Sequence, residues 1–253
     1  MSKPASVPIS TPSKTFNQTL GVKVTAWLPP APVQQAALTN NLSGQYCQLK
    51  LLKTHHSRSL HESFANTPES HWTYLPYGPL VTENDYLTWT ERLSENNQLD
   101  CFAYAICAAN REGAEKVLGV TAYSRILPEY GSIEIGHLSF SDKMKQTRIA
   151  TECIFLMIEA AFLLGYRRVE WKCNVLNDAS KQAAKRFGFT HEGTWRNAQV
   201  LKGRNRDTAW FSIIDEDWDK LLPAYELWLD AKNFDKNGLQ RSSLSTLTRA
   251  ALA

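Results

Sequence analysis

The sequence predicts a protein of the α/β (α+β) class, with helices packed against one sheet. The stretch from Ser132 to Phe189 reads as a strand, a basic loop, a long apolar helix, a second strand and a short amphipathic helix. Residues 132–140 alternate with the period of a strand, whereas the apolar run 149–164 is too long for a strand and indicates a helix. Upstream, residues 101–109 and 115–126 read as two antiparallel strands.

The N-terminal part is expected to lie outside the main domain. Residues 1–15 are dominated by Pro, Ser, Thr and Lys and are predicted to form a disordered arm. Residues 16–44 are predicted to be an extension packed on the domain, with a short strand after Phe16. The domain itself is expected to span 45–233, and a C-terminal tail follows over 234–253.

The early elements of the domain follow from capping and turn residues. A first strand over 45–52 is followed by a helix, for which Thr54 is the predicted N-cap. Two prolines and a glycine exclude regular structure from the loop 72–80. Thr82 as N-cap and Asp85 at the third helical position then predict a second helix with a capping box.

The last elements are a hairpin and a helix. Segments 189–203 and 206–218 read as its two arms, with Gly203 near the turn. Asp215 to Leu229 reads as a helix that packs one apolar face against the sheet. The chain from Asn237 onward contains no acidic residue and is predicted to be disordered or a frayed helix.

Composition and charge favour a protein of the cytoplasm. The 253 residues carry a formal net charge of +3, but the first acidic residue is Glu62. Six basic residues spread over 1–61 are more typical of solvated surface than of nucleic-acid binding. The five cysteines lack CxxC spacing, which indicates reduced and mostly buried thiols. Neither a secretory signal nor an apolar run long enough for a membrane is apparent.

A cationic turn precedes the long apolar helix. Helix N-termini present unpaired N–H groups and a partial positive charge. A helix that begins near Arg148, after Lys143 and Lys145, is therefore predicted to bind a phosphate or pyrophosphate. A solvated basic loop is the alternative interpretation.

Several motifs lie between the long apolar helix and the end of the last hairpin. They are ATE at Ala150 to Glu152, Asn177-x-x-Ser180, Gly188-Phe189, Glu192-Gly193 and the closing GRNRDTAWFSIIDEDW. Together they resemble the GNAT superfamily of N-acetyltransferases, and look closest to the branch that acetylates the N-termini of ribosomal proteins. The resemblance implies a mixed, mostly antiparallel central sheet with splayed central strands, and acetyl-CoA as co-substrate without a metal.

The resemblance also implies which residues bind the donor. Backbone groups of Leu138, Ser139 and Phe140 would bind the pantetheine arm, and Asn177 stands at the following strand-to-helix junction. The pyrophosphate loop of the family falls on Lys145, Gln146, Thr147, Arg148, Ile149 and Ala150, with Thr151 next to it.

Three positions depart from the family pattern. Lys145 stands at the first position of the pyrophosphate loop, where the family has Gln or Arg. Arg148 stands where the family usually has glycine, so its side chain either turns outward and adds charge to the phosphate site or weakens cofactor binding. Ala184 stands where many members carry the tyrosine that protonates the departing thiolate. Ser180 is the replacement candidate, and the alternative is that it caps a helix over 181–187.

Direct attack on a thioester requires a neutral amine and therefore favours a nearby base. A lysine amine costs about 3.7 kcal/mol more to deprotonate than an α-amine. Glu134 is the first candidate for the base, and a structural ion pair is the alternative explanation of a charge between apolar neighbours. His137 and Glu170 are weaker candidates, while Cys173 is expected to be buried and inert.

The acceptor is expected to be recognised by an aromatic loop and by the last hairpin. Trp72, Tyr74 and Tyr77 would form one wall of a pocket, although these rings could equally fill the core. Trp195 and Arg204 would contribute from the hairpin. With Arg196 and Arg206, the hairpin arginines suggest an acidic or phosphate-bearing acceptor.

These features predict acetyl transfer from acetyl-CoA to a primary amine, on a protein N-terminus or a small molecule, by direct attack in a ternary complex. The alternatives are a non-catalytic acyl-CoA sensor and a nucleic-acid-binding protein. A homodimer is possible in such a family. The histidines His55, His56 and His61 have no Asp or Cys neighbours in the sequence, so no metal site is predicted.

Overall fold

A computed structural model of the protein describes residues 13–15, 18–21, 24, 26–95, 101–109 and 115–253. Of the predicted disordered arm 1–15, residues 1–12 lie outside the described residues, whereas Ser13–Thr15 form a short strand. Residues 110–114, between the two predicted strands 101–109 and 115–126, also lie outside the described residues. Within the described part of the chain, no helix combines the length and the apolar character that a membrane span requires.

Eight strands form one mixed sheet, and two short strands near the N-terminus form a separate hairpin. The order in the sheet is β3-β4-β5-β6-β7-β8-β10-β9, and every neighbouring pair is antiparallel except β7 and β8. This is the predicted mixed, mostly antiparallel arrangement. The strands are β1 Ser13–Thr15, β2 Gln18–Leu20, β3 Leu42–Ser43, β4 Cys47–Leu51, β5 Cys101–Ala108, β6 Val117–Leu127, β7 Ser132–Phe140, β8 Arg168–Asn174, β9 Thr190–Leu201 and β10 Arg204–Ile214.

Helices cover both faces of the sheet. We call the face that carries Ile133 and Ile135 the α4 face, because these side chains pack in one core cluster with residues of α4 and α6. The opposite face carries Ala103 and Ala122, packs against α2 and α3 and is called the α3 face. The helices are α1 Pro32–Ala36, α2 Ser57–Phe64, α3 Glu83–Glu95, α4 Arg148–Leu163, α5 Asp178–Arg186, α6 Asp215–Leu229 and α7 Leu244–Leu252.

Of the two predicted threonine N-caps, Thr82 is confirmed and Thr54 is wrong. The Thr82 N–H donates to Asp85 at 2.7 Å and the Asp85 N–H donates to the Thr82 hydroxyl at 3.2 Å, which is the predicted capping box. Thr54 does not cap α2. The Lys53 N–H donates to Nδ1 of His56 at 3.0 Å, so a 3-10 turn over Thr54–His56 begins first and α2 follows at Ser57.

A buried carboxylate explains part of the ATE motif. Glu152 of α4 is 4% exposed and accepts backbone N–H groups from the loop before β4. A Cβ on Gly44 would lie 2.3 Å from the Glu152 carboxyl carbon, so this loop passes too close for a larger residue. The three donors are Gln45 at 2.7 Å, Tyr46 at 2.7 Å and Cys47 at 2.8 Å.

The regions before and after the domain also contact it. In the extension, the Trp27 indole donates to the Gly165 carbonyl at 2.9 Å and the Leu38 carbonyl accepts from the Tyr104 hydroxyl. The tail was expected to be disordered or frayed, whereas α7 packs against α6 and buries Leu244 completely. The apolar spacing of this short helix, rather than its lack of acids, decides its structure.

The two parallel strands at the centre of the sheet diverge, as the resemblance implies. β7 and β8 pair only from Ser132 with Arg168 to Glu134 with Glu170, although each strand continues for several residues. In the same region, β7 has a bulge against β6, where His137 adopts a φ of 52°. A gap therefore opens between β7 and β8 beyond Glu134.

Candidate active site

The gap between β7 and β8 leads to a loop and a helix N-terminus. The loop runs from Ser141, whose buried hydroxyl has no hydrogen-bond partner among the described residues, to Thr147. Thr147 is the N-cap of α4, and its hydroxyl accepts the Ala150 N–H at 3.4 Å. The other N–H groups of the first turn have no partner within the helix, so they can bind an anion.

The cations of this loop are partly engaged within the protein. The Lys145 ammonium lies 2.7 Å from the Asp142 carboxylate, and both groups are solvent-exposed. The Arg148 guanidinium lies 3.7 Å from the ring centre of Phe234 and 5.4 Å from that of Tyr46. Arg148 therefore turns to the side of α4, where it packs on aromatic rings and keeps its charge near the helix N-terminus.

Glu134 lies on the α3 face at the point where the gap opens. Its side chain is 4% exposed, and its carboxylate is 2.9 Å from the Lys172 ammonium and 3.5 Å from Nε of Arg125. Burial raises the pKa of Glu134, and the charges of Lys172 and Arg125 oppose that rise. Glu134 both forms an ion pair and lies at the gap, so a structural role and a role as the candidate base are compatible.

The two weaker candidates for the base have different surroundings. The Glu170 carboxylate pairs with Arg168 at 2.8 Å and lies 3.9 Å from Arg125, within a network of charges. His137 stacks on Tyr77 with ring centres 5.8 Å apart, and its buried Nδ1 has no hydrogen-bond partner among the described residues. Burial lowers the pKa of His137, which favours the neutral ring.

His71 also lies in this region, although no sequence motif pointed to it. Its Nε2 shares a hydrogen bond of 3.0 Å with the hydroxyl of Ser139, which is fully buried on β7. Burial lowers the pKa of His71 to about 4, and the charge of Lys145 acts in the same direction. A neutral imidazole therefore lies between the aromatic loop and the end of β7.

Ser180 and Asn177 lie at the start of α5, beside β8. Ser180 accepts a hydrogen bond from the Trp171 indole at 3.0 Å on the α4 face. It does not cap the helix, because the Asn177 side chain caps α5 by accepting the Ser180 N–H at 3.1 Å. Cys173 is buried beside Ser180 and burial raises the pKa of its thiol, as expected for an inert cysteine.

The aromatic loop and the last hairpin meet through a lysine. Lys202, at the hairpin turn, donates to the carbonyl oxygens of Trp72 at 2.8 Å and Tyr77 at 3.1 Å. The Trp72 ring itself is buried among the residues under α3, whereas the Tyr74 hydroxyl donates to the Leu176 carbonyl at 3.0 Å. The loop and the hairpin therefore border the same region, with Trp72 as a core residue.

The predicted hairpin residues are placed differently from each other. Trp195 is 57% exposed and packs on Trp210 with ring centres 4.5 Å apart. Arg204 is exposed next to the turn, whereas Arg206 is half-buried and interacts electrostatically with Glu134. Of these two arginines, Arg206 is the one that faces the gap.

One cluster of described residues resembles a metal site but is already satisfied. His55, His56 and Glu115 present possible ligand atoms within 4.8 Å of one another. Glu115 already pairs with Lys50 at 2.7 Å, and Nδ1 of His56 accepts the Lys53 N–H. Nε2 of the neutral His56 ring therefore carries the proton and is not free to bind a metal.

Comparisons with known proteins agree with this architecture. The family model described as "Acetyltransferase (GNAT) domain" matches residues 48–190. A GCN5-related N-acetyltransferase from Brucella melitensis shares 36% identity and a TM-score of 0.79, covering 83% of this chain and 95% of its own. A probable acetyltransferase of the GNAT family from Chromobacterium violaceum ATCC 12472 shares 39% identity and a TM-score of 0.69, covering 85% of this chain and 100% of its own. No curated protein matches the chain by sequence.

The divergent parallel strands, the helix N-terminus behind them and these relatives define an acyltransferase that uses an acyl-CoA donor. The chain belongs to the GNAT acetyltransferase family, whose co-substrate is acetyl-CoA.

Proposed function

We propose that the protein transfers the acetyl group of acetyl-CoA to a primary amine, on a protein N-terminus or a small molecule, by direct attack in a ternary complex. The observation that supports this most directly is the buried Glu134 carboxylate at the opening between β7 and β8. A carboxylate in that position can accept the proton of an incoming ammonium group.

The donor half of the proposal depends on backbone groups. Beyond Glu134, β7 has lost its β8 partner, so Leu138, Ser139 and Phe140 lie on a strand that can pair with the amides of an extended pantetheine arm. The N-terminus of α4, with Lys145 and Arg148 beside it, would bind the diphosphate. The donor supplies an acetyl thioester when it is bound.

Two residues of this chain would handle the protons. Glu134 would take the proton that the amine loses, and it must be ionised to do so. The Ser180 hydroxyl, which already accepts from Trp171, can donate its own proton in a hydrogen bond to the departing sulfur. A serine is a weaker acid than the tyrosine of many family members, so Ser180 would only donate a hydrogen bond to the departing thiolate. The thiolate would then take its proton from solvent.

The proposal of a protein N-terminus rests on the energetics of the acceptor and on sequence motifs. An α-amine is neutral at a cost about 3.7 kcal/mol smaller than a lysine amine. A Salmonella typhimurium acetyltransferase that modifies the N-terminal serine of ribosomal protein L7/L12 shares the fold at 19% identity, with a TM-score of 0.59, covering 69% of this chain and 99% of its own. Membership of that branch is part of the proposal.

The test is a screen of peptides with free N-termini and of small amines, which follows release of CoA thiol together with product mass. We expect acetylated products with the wild type and a loss of about 100-fold or more in kcat/KM for Glu134→Gln. Glu129→Gln, which alters an exposed carboxylate, is the matched control. Acetylation by Glu134→Gln at the wild-type rate would refute the role of Glu134, and the absence of any product across the screen would refute the proposed acceptor class.

A further inference from the structure

The α3 face of the sheet holds a cation that forms no direct ion pair among the described residues. Arg206 on β10 is half-buried, and its buried Nε has no hydrogen-bond partner among the described residues. Arg206 precedes Thr208 by two residues, and Thr208 pairs with Asn174 at the end of β8, where β8 no longer pairs with β7. Arg206 therefore lies next to the gap between β7 and β8, where the groups of Glu134 and Cys173 act on its pKa.

Two further polar groups on the same strand are also unsatisfied. The Thr208 hydroxyl and the Trp210 indole N–H are buried and have no hydrogen-bond partner among the described residues, at exposures of 3% and 8%. Thr208 pairs with Asn174 and Trp210 pairs with Lys172, so both side chains lie on the face that carries Lys172 and Glu134. Buried polar groups are normally satisfied, which makes a ligand the simplest partner for them.

The charges around the gap do not balance. Lys172 and Arg125 share the Glu134 carboxylate, at 2.9 and 3.5 Å. Arg168 holds the carboxylates of Glu170 and Glu192, the second through a bond of 2.7 Å from Nη1. The carboxylates of Glu134, Glu170 and Glu192 are therefore already paired with these three cations.

Arg206 therefore adds a positive charge to the network without forming an ion pair of its own. Burial lowers the pKa of Arg206, and the nearby groups of Cys173 and Glu134 oppose that effect without cancelling it. A bound anion would offset that cost of burial.

We propose that Arg206, with the Thr208 hydroxyl and the Trp210 indole, binds a carboxylate that the acceptor carries beside its amine. This inference rests on the proposed function and narrows it from primary amines to amino acids and acidic amines. The ammonium group would face Glu134 while the carboxylate faces Arg206, so the two ends of a zwitterion meet opposite charges. The planar guanidinium of Arg206 can donate two parallel hydrogen bonds to a carboxylate, and the Thr208 hydroxyl and the Trp210 indole can each donate one more.

The carboxylate can come from two sources with the same chemistry. It is either the α-carboxylate of a free amino acid or the side chain of an acidic first residue in a peptide. One arm of the test compares free amino acids with their α-amides. The other compares C-terminally amidated peptides that begin with Glu or Asp with those that begin with Gln or Asn.

The kinetic test measures kcat/KM for each acid and its neutral isostere. We expect the wild type to prefer the acid by at least about tenfold in one arm, and Arg206→Gln to abolish that preference while the value for the neutral isostere is retained. Arg206→Lys should keep part of the preference. Arg249→Gln, which changes an exposed arginine on α7, should behave as the wild type. Equal use of acid and isostere by the wild type would overturn the inference.

A binding measurement separates this inference from the proposed function. Calorimetry on CoA-saturated protein needs no turnover and compares N-acetylglutamate with two of its amides. N-acetylglutamine lacks the side-chain carboxylate, and the α-amide of N-acetylglutamate lacks the α-carboxylate. If no amine is acetylated, a tighter affinity for N-acetylglutamate than for one of the amides, which Arg206→Gln removes, still supports the carboxylate site. Equal affinity for all three probes, or a preference that Arg206→Gln leaves unchanged, would contradict it.

Discussion

The Lys172 ammonium lies 2.9 Å from the Glu134 carboxylate, and this ion pair spans the opening between two strands that have just separated. Glu134 is the last residue of β7 that pairs with β8, and its partner there is Glu170. Lys172 lies two residues further along β8, beyond this last pair. The pair therefore joins the two strands by side chains where the backbone no longer does. It also places a positive charge against the candidate base.

The first prediction concerns the pH dependence set by this pair. Burial raises the pKa of Glu134 and Lys172 lowers it, so Lys172→Met should raise that pKa further. Because Glu134 must be ionised to accept a proton, activity is lost as pH falls through its pKa. The acidic limb of kcat/KM should therefore move to higher pH in Lys172→Met, measured at saturating acetyl-CoA.

The control for this experiment is Lys220→Met, which removes an exposed lysine from α6. Its acidic limb should coincide with that of the wild type. A Lys172→Met enzyme that is slower at every pH with an unmoved limb would mean that Lys172 does not act through the ionisation of Glu134.

The second prediction separates the roles of Ser180 and Asn177. Ser180→Ala should lower kcat by about tenfold and leave the KM for acetyl-CoA unchanged, because a hydrogen bond to the departing sulfur matters only during reaction. Asn177→Ala should instead lower the free energy of unfolding by about 1 kcal/mol, since it removes the N-cap of α5. Steady-state kinetics and urea denaturation of both variants measure the two effects. An unchanged kcat in Ser180→Ala would exclude Ser180 from the chemical step.

The third prediction concerns the arginine at the head of α4. Arg148→Ala should raise the KM for acetyl-CoA by about two- to fivefold at low ionic strength, because it removes a charge near the helix N-terminus. The difference should shrink in high salt. Phe234→Ala keeps the charge but removes the ring on which Arg148 packs, so it separates charge from position. A lower KM in Arg148→Ala would show that the arginine obstructs the donor.

The fourth prediction concerns the buried carboxylate of α4. Glu152→Gln should lower the free energy of unfolding by about 2–4 kcal/mol, because an amide cannot accept three N–H groups with both of its terminal atoms. Urea denaturation measures the change. Glu159→Gln on the same helix is the control, since burial and Glu226 raise the pKa of Glu159 and loss of its charge should cost little. Equal effects of the two substitutions would contradict the structural role of Glu152.

Local signals in the sequence predicted much of the fold. The bounds of β7 and α4 follow from periodicity over adjacent residues, and the Thr82 capping box needs only its own first turn. Thr54 failed as a cap because the His56 ring accepts the Lys53 N–H and tightens the turn. The composition of the tail gave no indication that α7 would find a partner in α6.

The site was harder to predict because its contacts join distant parts of the chain. Glu134 and Ser180 could be nominated from motifs, but their roles stay predictions. His71 and Ser139 are 68 positions apart, and Arg206 comes close enough to interact electrostatically with Glu134 only because of the strand order in the sheet. No spacing between residues in the sequence predicts such long-range pairs.

The first two turns of α4 contact the loop before β4 through two side chains. Arg148 packs on Tyr46 at one level, and Glu152 holds the N–H groups of Gln45, Tyr46 and Cys47 a turn later. A donor bound at the N-terminus of this helix would therefore restrain the turn between β3 and β4. Amide exchange at Gln45, Tyr46 and Cys47 should slow when CoA is added, so these three N–H groups would report whether the cofactor is bound.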